Sequence, residues 1–515
     1  MSEHNYEGYS LPTDSYSYWR ASTEQTKYKR LEDNLDTEVV VVGAGITGIT
    51  TAYLLAKRGI KVVLLEAGNV LEGTTAHTTA KITVQHDLIY DELIAHFGAE
   101  QALQYYKSNE EALQFITEQM ETLQIECDYK QEDAYLYTCS AEQLPLLEKE
   151  WLAYEQLGIK GEFLKQAPLP FATEGAIKLG GQAQFHPLKY VTRLLEEAVK
   201  LGVEVYEQVT AVTVEQEQRA KVMTDRGFSI TCSYVVACTH YPFVDGMRAY
   251  FSRMYADRSY VICGKPTVPF HGGMHINVEM PKRSIRSVQV KGQEMLLIGG
   301  EGHKVGQGNM STMQNYKILA QFAAEQFGIE EVAYRWSAQD LITLDKIPFI
   351  GSIAGDDSNI LIATGFKKWG MTTGTLAAMM FDLTISGKAS FYRDLYKPDR
   401  FHADPDIKSF VSINVDTAKQ LFTGKLESLV GTLPQVDELA LDTGKVVEVD
   451  GKRAGAYRDK EGKLFVVDTT CTHMGCEVNW NDGERSWDCP CHGSRFSYKG
   501  DVLEGPAQKP LARWQ

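Results

Sequence analysis

Cysteine and histidine residues crowd into two short segments near the end of this chain. The segments CTH (471–473) and CPCH (489–492) are separated by fifteen residues, and each offers one thiolate and one imidazole. A [2Fe-2S] cluster with two cysteines on one iron and two histidines on the other needs this combination. Structural zinc is the alternative, but zinc fingers usually pair cysteine with cysteine and histidine with histidine. The predicted iron ligands are Cys471, His473, Cys489 and His492.

The longer segments CTHMGC (471–476) and CPCHGS (489–494) closely resemble the cluster-binding loops of the Rieske proteins of respiratory and photosynthetic cytochrome complexes. The resemblance implies a disulfide between the two spare cysteines, Cys476 and Cys491. Two reduced thiols are the alternative, because disulfides are unusual in the cytoplasm. Those relatives carry a membrane helix before the cluster domain. This chain carries other sequence there, which disfavours a role in a membrane quinol-oxidising complex.

Two residues that follow the second histidine ligand, Ser494 and Phe496, bear on the reduction potential of the cluster. Ser494 follows Gly493 and is placed to donate a hydrogen bond to a cluster sulfide, which raises the potential. High-potential Rieske relatives carry a tyrosine where this chain has Phe496. We therefore expect a potential below theirs but far above that of an all-cysteine ferredoxin.

A glycine-rich turn near the other end of the chain predicts a nucleotide site. GAGITG (43–48) follows an apolar strand and opens a helix. Gly43 permits the tight turn, Gly45 lets the backbone approach a pyrophosphate, and Gly48 lets helix and strand pack closely. Glu66, eighteen residues after Gly48, is placed to accept hydrogen bonds from ribose hydroxyls. The predicted contacts are Gly43, Gly45, Ile46, Thr47, Gly48 and Glu66. A second fingerprint is missing, which disfavours a reductase that binds a pyridine nucleotide as well.

Several separated segments resemble the D-amino acid oxidase and glycine oxidase family of flavoproteins. They are VVVVGAGITGITTAYLLAKRGIKVVLLEA (39–67), EGTTAHTTAKIT (72–83), VVACT (235–239), ITLDKIPFIG (342–351) and NILIATGFKKWGMTTGTLAAMM (359–380). Their order and spacing fit the whole of this stretch. The resemblance implies FAD as the cofactor and a substrate domain inserted into the FAD domain.

The resemblance also places individual residues near the flavin. The late glycine-rich segment opens a helix that faces the flavin ring in this family, which would put Gly365, Gly370 and Met371 beside it. The segment that contains Thr74 and His77 is similar to one in dimethylglycine-dehydrogenase-like members, where a histidine bonds covalently to the flavin. This chain lacks the tryptophan that precedes that histidine. A covalent link, a non-covalent contact and a structural role therefore all remain open for His77.

Substrate residues are poorly determined by the sequence. An arginine often holds a carboxylate over the flavin in this family, and its bidentate geometry suits that task. The candidates in FSRMYADRSYVI (251–262) are Arg253, Tyr255, Arg258 and Tyr260, with surface arginines on a strand as the alternative. Lys367, Lys368 and Trp369 lie in the flavin-facing loop, where a lysine could stabilise the charge of a reduced flavin. The expected catalytic residues are Arg253, Tyr255 and Lys367.

Two kinds of element must position these groups. Strand–turn–helix–strand patterns predict an α/β Rossmann-like domain, and the family resemblance implies that it binds FAD and carries an inserted α+β substrate domain. Short strands with glycine turns predict a C-terminal all-β domain, which the cluster-loop resemblance identifies as a Rieske domain. A polar stretch with prolines predicts a linker between them. The predicted boundaries are 1–35 for an N-terminal arm, 36–395 for the oxidoreductase with insertions at about 85–185 and 240–335, 396–424 for the linker and 425–515 for the Rieske domain.

Composition excludes some classes of protein. The net charge of −16 argues against a nucleic-acid binder, which would show a basic face. No stretch supplies about 20 clean apolar residues, and the first residues do not resemble a signal peptide. We therefore expect a cytoplasmic protein without an integral membrane segment.

The expected function combines the two cofactors. An amine or amino acid would transfer a hydride to FAD, and the electrons would pass singly to the Rieske cluster and on to an unknown external acceptor. An electron-transfer module without its own organic substrate is one alternative, and an exposed His473 and His492 face would be its signature. A redox sensor or assembly protein is another. A Rieske oxygenase is disfavoured, because no 2-His-1-carboxylate iron site follows the cluster segments.

Overall fold

The fold is seen in a computed structural model that describes most of the chain. The described residues are 10–216, 218–244, 249–308, 310–353, 355, 358–427 and 433–514, with only the backbone described for Ala403 and 422–427. The first nine residues of the predicted arm and residues 428–432 of the predicted Rieske domain lie outside the described residues.

A six-stranded sheet leads into the glycine-rich turn. Its central strands are fully buried and consist mostly of valine, isoleucine and leucine, as expected for parallel strands covered on both faces. Neighbouring strands are parallel, except that Phe349–Ser352 runs antiparallel to Ile360–Thr364. In spatial order the strands are Phe349–Ser352, Ile360–Thr364, Tyr234–Ala237, Val39–Val42, Val62–Leu65 and Glu204–Tyr206.

Helices pack beside this sheet and a smaller sheet completes the FAD-binding part. Helix Ile46–Lys57 packs against both Gly370–Ile385 and Pro187–Lys200. The last of these begins at a proline, whose missing N–H has no helical partner to lose. The smaller sheet contains, in spatial order, Leu35–Asp36, Ser229–Cys232, Ala220–Thr224 and Ala211–Gln216.

The inserted part is built on a larger, mostly antiparallel sheet. Three helices belong to it, Tyr90–Thr122 with a kink at Gly98, Leu144–Leu157 and Thr312–Phe327. The strands in spatial order are Val332–Thr343, Met254–Gly264, Gln293–Lys304, Arg283–Val290, Met274–Asn277, Lys130–Thr138, Gly175–Gln184 and Lys81–Ile82, and Gly161–Leu164 pairs with Gly175–Gln184.

The C-terminal part contains two small antiparallel sheets, so the predicted fold class is confirmed for both halves of the chain. One sheet contains Thr443–Val449, Lys452–Arg458, Leu464–Val467 and Arg513–Trp514. The other contains Asn479–Asn481, Ser486–Asp488, Arg495–Ser497 and Val502–Glu504. The predicted cluster ligands lie in the loops around the second sheet.

The stretch predicted as a linker is largely helical in the structure. Helix Arg393–Tyr396 is followed by Ala403–Glu427, which is interrupted at Asp404 by extended backbone. Pro405 then occupies the first helical position, where proline is well tolerated. The prolines of this segment therefore lie at the ends of helices. The boundaries of the linker stay a prediction.

The described part of the N-terminal arm lies over the body of the protein. The Trp19 side chain is fully buried, and its indole N–H donates to the carbonyl oxygen of Thr78 at 2.7 Å. The guanidinium of Arg335 donates to the carbonyl oxygens of Pro12 and Thr13. These contacts tie the arm to Thr78, just after the 3-10 helix Thr74–His77, and to strand Val332–Thr343.

Candidate flavin and iron–sulfur sites

The glycine-rich turn brings backbone segments closer together than side chains would allow. Gly43 has a φ of +101°, and a Cβ there would lie 2.4 Å from the carbonyl oxygen of Cys238. A Cβ at Gly48 would lie 1.9 Å from the carbonyl oxygen of Gly43. Gly45, at the N-cap of helix Ile46–Lys57, has no side chain that could cap it. The first turn therefore keeps N–H groups and a positive dipole end for a phosphate.

Thr75 and Glu66 border this turn. The Thr75 hydroxyl accepts a hydrogen bond from the N–H of Ile46 at 3.1 Å. The Glu66 carboxylate accepts from the N–H groups of Ala44 and Gly68, both at 2.9 Å, and burial raises its pKa. Each carboxylate oxygen can accept more than one hydrogen bond, so ribose hydroxyls can still donate to it. Sequence reasoning named the neighbouring Thr74 and missed Thr75, which only the turn of the 3-10 helix brings to the phosphate end.

A second helix N-terminus meets the first. Gly365 has a φ of +75°, and a Cβ there would lie 2.4 Å from Cγ2 of Thr343. Gly370 starts helix Gly370–Ile385, whose Met371 is buried. A Cβ at Gly374 would lie 2.6 Å from the Thr47 hydroxyl. The two positive helix ends therefore converge, which fits the pyrophosphate and the electron-rich flavin of FAD. Thr47 and Gly374 are in contact at this point. The contacts of Gly365, Gly370 and Met371 with the flavin stay predictions.

His77 lies at the end of the 3-10 helix after the turn. Its Nδ1 is 2.9 Å from the carbonyl oxygen of Gly73, and its own carbonyl accepts from the indole N–H of Trp336. A carbonyl can only accept, so Nδ1 carries the proton and Nε2 keeps its lone pair. Burial lowers the pKa of His77, which favours this neutral form. The contact of His77 with FAD stays a prediction.

The two lysines of the loop predicted to face the flavin have different surroundings. Lys368 donates to Asp257 at 2.7 Å and to Asp340 at 3.3 Å. Burial opposes its charge, but the two carboxylates outweigh burial and raise its pKa. Burial lowers the pKa of Lys367 to about 8, and the charge of Asp87 is the largest effect that opposes burial. Lys367 is therefore the lysine of this loop whose charge can change near neutral pH.

Trp369, between these lysines and the helix, stacks on His86. The ring centroids are 4.6 Å apart and the planes are 14° from parallel. Burial lowers the pKa of His86 to about 3, and its ring nitrogens contact the Tyr105 hydroxyl and the Thr83 carbonyl. The Trp369 indole N–H is buried without a partner among the described residues. An unpaired buried donor is costly, so it marks a place where a bound group can accept. The sequence carried no signal for His86.

Arg253 is engaged away from the role predicted for it. Its guanidinium donates to the carbonyl oxygens of Pro398 at 2.8 Å and Arg400 at 2.7 Å, and it lies 4.4 Å from the centroid of the Phe349 ring. Burial lowers its pKa. These contacts hold the segment after helix Arg393–Tyr396, and they do not support the contact with a substrate carboxylate.

Arg258 faces the C-terminal domain and is fully buried. Its guanidinium donates to the Ser337 hydroxyl and to Gln339, and it lies 3.7 Å from Glu504 and 4.0 Å from Asp488. The candidate for a substrate carboxylate therefore meets two protein carboxylates across the domain interface. The sequence around Arg258 could not predict this contact, because both acids lie far from it in the chain.

The two tyrosines of the same strand also lie near the interface. Tyr255 lines a small cavity between the domains with Lys304, Asp416 and Cys491, and burial raises its pKa to about 12. The Tyr260 hydroxyl is 2.9 Å from Nε2 of His303. The catalytic roles expected for Tyr255 and Lys367 stay predictions.

The four predicted iron ligands are close together. The rings of His473 and His492 are 5.0 Å apart between centroids and 89° from parallel. Their Nδ1 atoms are buried without a partner among the described residues, as is expected for atoms that bind iron. The Cys471 and Cys489 thiols share a hydrogen bond, which lowers the pKa of Cys471. Two imidazole nitrogens and two sulfurs therefore fit a Rieske [2Fe-2S] cluster.

The spare cysteines are paired as predicted. Cys476 and Cys491 form a disulfide that joins the two cluster loops. Their sulfur atoms lie within 4.8 Å of that of Cys489, but a disulfide cannot supply thiolates, so this trio is not a metal site. Ser494 is fully buried, its side chain hydrogen-bonds the Cys471 thiol, and its hydroxyl accepts from the N–H of Ala507.

The cluster loops dock directly on the inserted domain. A Cβ at Gly493 would lie 2.3 Å from Cβ of Ala256, and the Gly493 carbonyl accepts from the Gln339 amide at 2.8 Å. A Cβ at Gly306 would lie 2.6 Å from the backbone nitrogen of Pro490. Backbone therefore approaches backbone across this interface, which leaves no space for water or added side chains at these points.

The histidine edge of the cluster site faces the same interface. The Phe251 ring stands edge-on to His473, at 5.3 Å between centroids, and to His492, at 5.1 Å. His492 is buried and His473 half-buried. The exposed histidine face expected for a separate electron-transfer module is therefore not observed.

Among the residues that the structure describes, none forms a helix long and apolar enough to span a membrane.

A dinucleotide cradle at one end and a mixed cysteine–histidine cluster site at the other define a flavoprotein fused to a Rieske domain. The FAD dependent oxidoreductase family model matches residues 38–383, and the Rieske [2Fe-2S] domain model matches 431–515. The chain therefore belongs to the FAD-dependent oxidoreductase family and carries a Rieske domain, with FAD and a [2Fe-2S] cluster as cofactors.

Known proteins resemble the whole chain or its first part. A protein of Bacillus subtilis (strain 168) described as the Rieske 2Fe-2S iron-sulfur protein YhfW is 46% identical over 96% of both chains. The gamma-glutamylputrescine oxidoreductase of Escherichia coli (strain K12) is 23% identical over 72% of this chain and 89% of its own. The crystal structure of glycine oxidase from Geobacillus kaustophilus superposes with a TM-score of 0.60 at 19% identity, over 72% of this chain and 100% of that chain. This last likeness supports the fold alone.

Proposed function

We propose that this protein is an amine or amino-acid dehydrogenase that passes electrons from FAD to its own Rieske cluster and on to an external one-electron acceptor. The observation that carries the proposal is the burial of the cluster's histidine edge against Phe251 in the oxidoreductase part of the chain. When bound, FAD would accept two electrons from the substrate and the cluster would carry them away one at a time.

The substrate class rests on family likeness and on the reaction that FAD supports. Oxidation of a CH–NH group releases two electrons as a hydride together with one proton, and water then hydrolyses the imine. The gamma-glutamylputrescine oxidoreductase relative favours such a substrate. With Arg253 engaged by backbone carbonyls, the proposal does not assign a carboxylate-binding arginine.

The proposal is tested by anaerobic mixing with a panel of amines and amino acids. We expect at least one compound to bleach the flavin and to produce the EPR signal of the reduced cluster. The control is Cys471→Ala, which removes an iron ligand. In this variant the flavin should bleach without the EPR signal of the reduced cluster. Bleaching of the unmodified protein without a cluster signal would refute the relay, and the absence of any response would refute the substrate class.

Lys367 gives this reaction an expected pH dependence. With its pKa at about 8, the side chain is mostly charged below that pH and mostly neutral above it. A positive charge beside the ring would stabilise the negative charge of reduced flavin. Flavin reduction should therefore slow as the pH rises through about 8.

Two variants separate the charge of Lys367 from its size. Lys367→Met should reduce flavin more slowly at neutral pH, by roughly tenfold, and without this transition. Lys367→Arg should keep the fast rate to higher pH, because arginine stays charged. The measurement is the rate of flavin bleaching against pH in rapid mixing. An unchanged transition in Lys367→Met would assign it to another group.

A further inference from the structure

Four consecutive residues connect the flavin-facing loop with the cluster ligands. At one end, a Cβ at Gly365 would lie 3.5 Å from the sulfur of Met254, and the Thr364 hydroxyl is 3.6 Å from the same sulfur. At the other end, the Phe251 ring contacts both imidazoles. Segment 251–254 therefore touches both cofactor sites.

The contact at Phe251 is specific in geometry. The ring is 77° from the plane of His473 and 87° from that of His492, so both contacts are edge-to-face. This arrangement is favoured between aromatic rings because the positive edge of one meets the negative face of the other. The two imidazoles are also perpendicular to each other, so the three rings lock their mutual orientation.

The interface holds this contact in place. Arg258 is buried against Asp488 and Glu504, and Gly493 abuts Ala256 without space for a Cβ. A cluster domain docked in this way cannot swing its histidine edge to another partner without breaking a buried charge network.

We infer that Phe251 is a positioning residue that orients both histidine ligands and forms the entry point for electrons that arrive from the flavin. In the step concerned, one electron leaves reduced flavin and converts one ferric iron of the cluster to ferrous iron. The second electron follows after an external one-electron acceptor has emptied the cluster. Because the histidine edge is used for entry, this acceptor must dock on another face. The inference rests on the proposed relay and adds the residue through which it runs.

The test measures electron transfer without any organic substrate. Flavin in the complete protein is reduced by a light flash with deazaflavin and EDTA, and reduction of the cluster is followed by absorbance and freeze-quench EPR. Phe251→Ala should slow cluster reduction by roughly tenfold. Phe251→Tyr, which keeps the ring, should restore the rate. Phe322→Ala, which removes another half-buried ring far from the cluster loops in sequence, is the control and should leave it unchanged.

A second readout reports on the cluster itself. In Phe251→Ala, water should reach the histidine edge, so pulsed EPR in D₂O should show stronger deuterium coupling to the reduced cluster, with iron and flavin content unchanged. Phe251→Leu keeps most of the volume and guards against a folding defect in the alanine variant. Unchanged transfer and coupling in both variants would overturn the role of Phe251 while the relay stands. Failure of the unmodified protein to transfer electrons would overturn the relay.

Discussion

Replacing Arg258 by methionine should destabilise the protein by about 3–5 kcal/mol, because it leaves the buried Asp488 and the partly exposed Glu504 without one of their cations. Arg258 is fully buried and lies between Asp488 and Glu504 of the Rieske domain. Arg495 would remain as the partner of both acids. Methionine fills similar space without charge, so the loss reports on the electrostatic contribution. The measurement is the free energy of unfolding in urea at about pH 7, with the midpoints of flavin and cluster signals followed separately.

The loss of stability in Arg258→Met should depend on pH. Burial alone would raise the pKa values of Asp488 and Glu504, but Arg495 and Arg258 outweigh burial and lower them. A carboxyl with a lowered folded-state pKa stabilises the protein above its unfolded value, near 4, and loses this contribution as the pH falls through the folded value. Without Arg258 these pKa values rise. The difference in free energy of unfolding between the unmodified protein and Arg258→Met should therefore be largest at neutral pH. It should become smaller below about pH 4.

An exposed arginine provides the comparison. Arg219→Met removes a surface pair with Asp36 and should change the stability little, since water already screens that pair. Equal effects of the two substitutions would contradict a special role for Arg258 in the domain interface.

Substitution of Gly493 by alanine should loosen the docked Rieske domain. The added Cβ would lie 2.3 Å from Cβ of Ala256, where only movement of one domain can relieve the overlap. Gly475 is a matched control on the other cluster loop, because its φ of +75° is close to the +79° of Gly493 but nothing lies within 4 Å of its Cβ. Both alanine variants carry the same backbone strain, of about 1–2 kcal/mol, so the difference between them reports the clash.

We expect Gly493→Ala to slow electron transfer from flavin to cluster and to increase hydrogen exchange in strand Met254–Gly264. Gly475→Ala should do neither. The double variant Gly493→Ala with Ala256→Gly removes the opposing Cβ and should recover most of the transfer rate, a coupling that a double-mutant cycle measures. If Ala256→Gly gave no rescue, the docking seen at this contact would not be the one that transfers electrons.

The two cofactor sites could be predicted because their signals are local. The turn at Gly43 to Gly48 needs glycine for reasons that the adjoining strand and helix already impose, and Cβ atoms at Gly43 and Gly48 would indeed overlap backbone. Cysteine and histidine are the residue types that ligate such a cluster, so two short segments predicted the cluster site. Their resemblance to the loops of Rieske proteins implied the disulfide. The helical form of residues 403–427 was missed, since proline and polar residues suit both a linker and a helix start.

The sequence by itself determined which cofactors this protein can hold, because the residue types and spacings that bind them lie within a few tens of residues. Only the tertiary structure decided how the sites are connected. Arg258 meets Asp488, and Phe251 meets His473 and His492, across a domain interface between segments far apart in the chain. Such contacts depend on how two folded surfaces fit, and the pattern of either segment alone does not encode its partner. For the same reason the sequence offered Arg258 as a candidate for binding a substrate carboxylate, whereas the structure shows that it makes an interdomain contact.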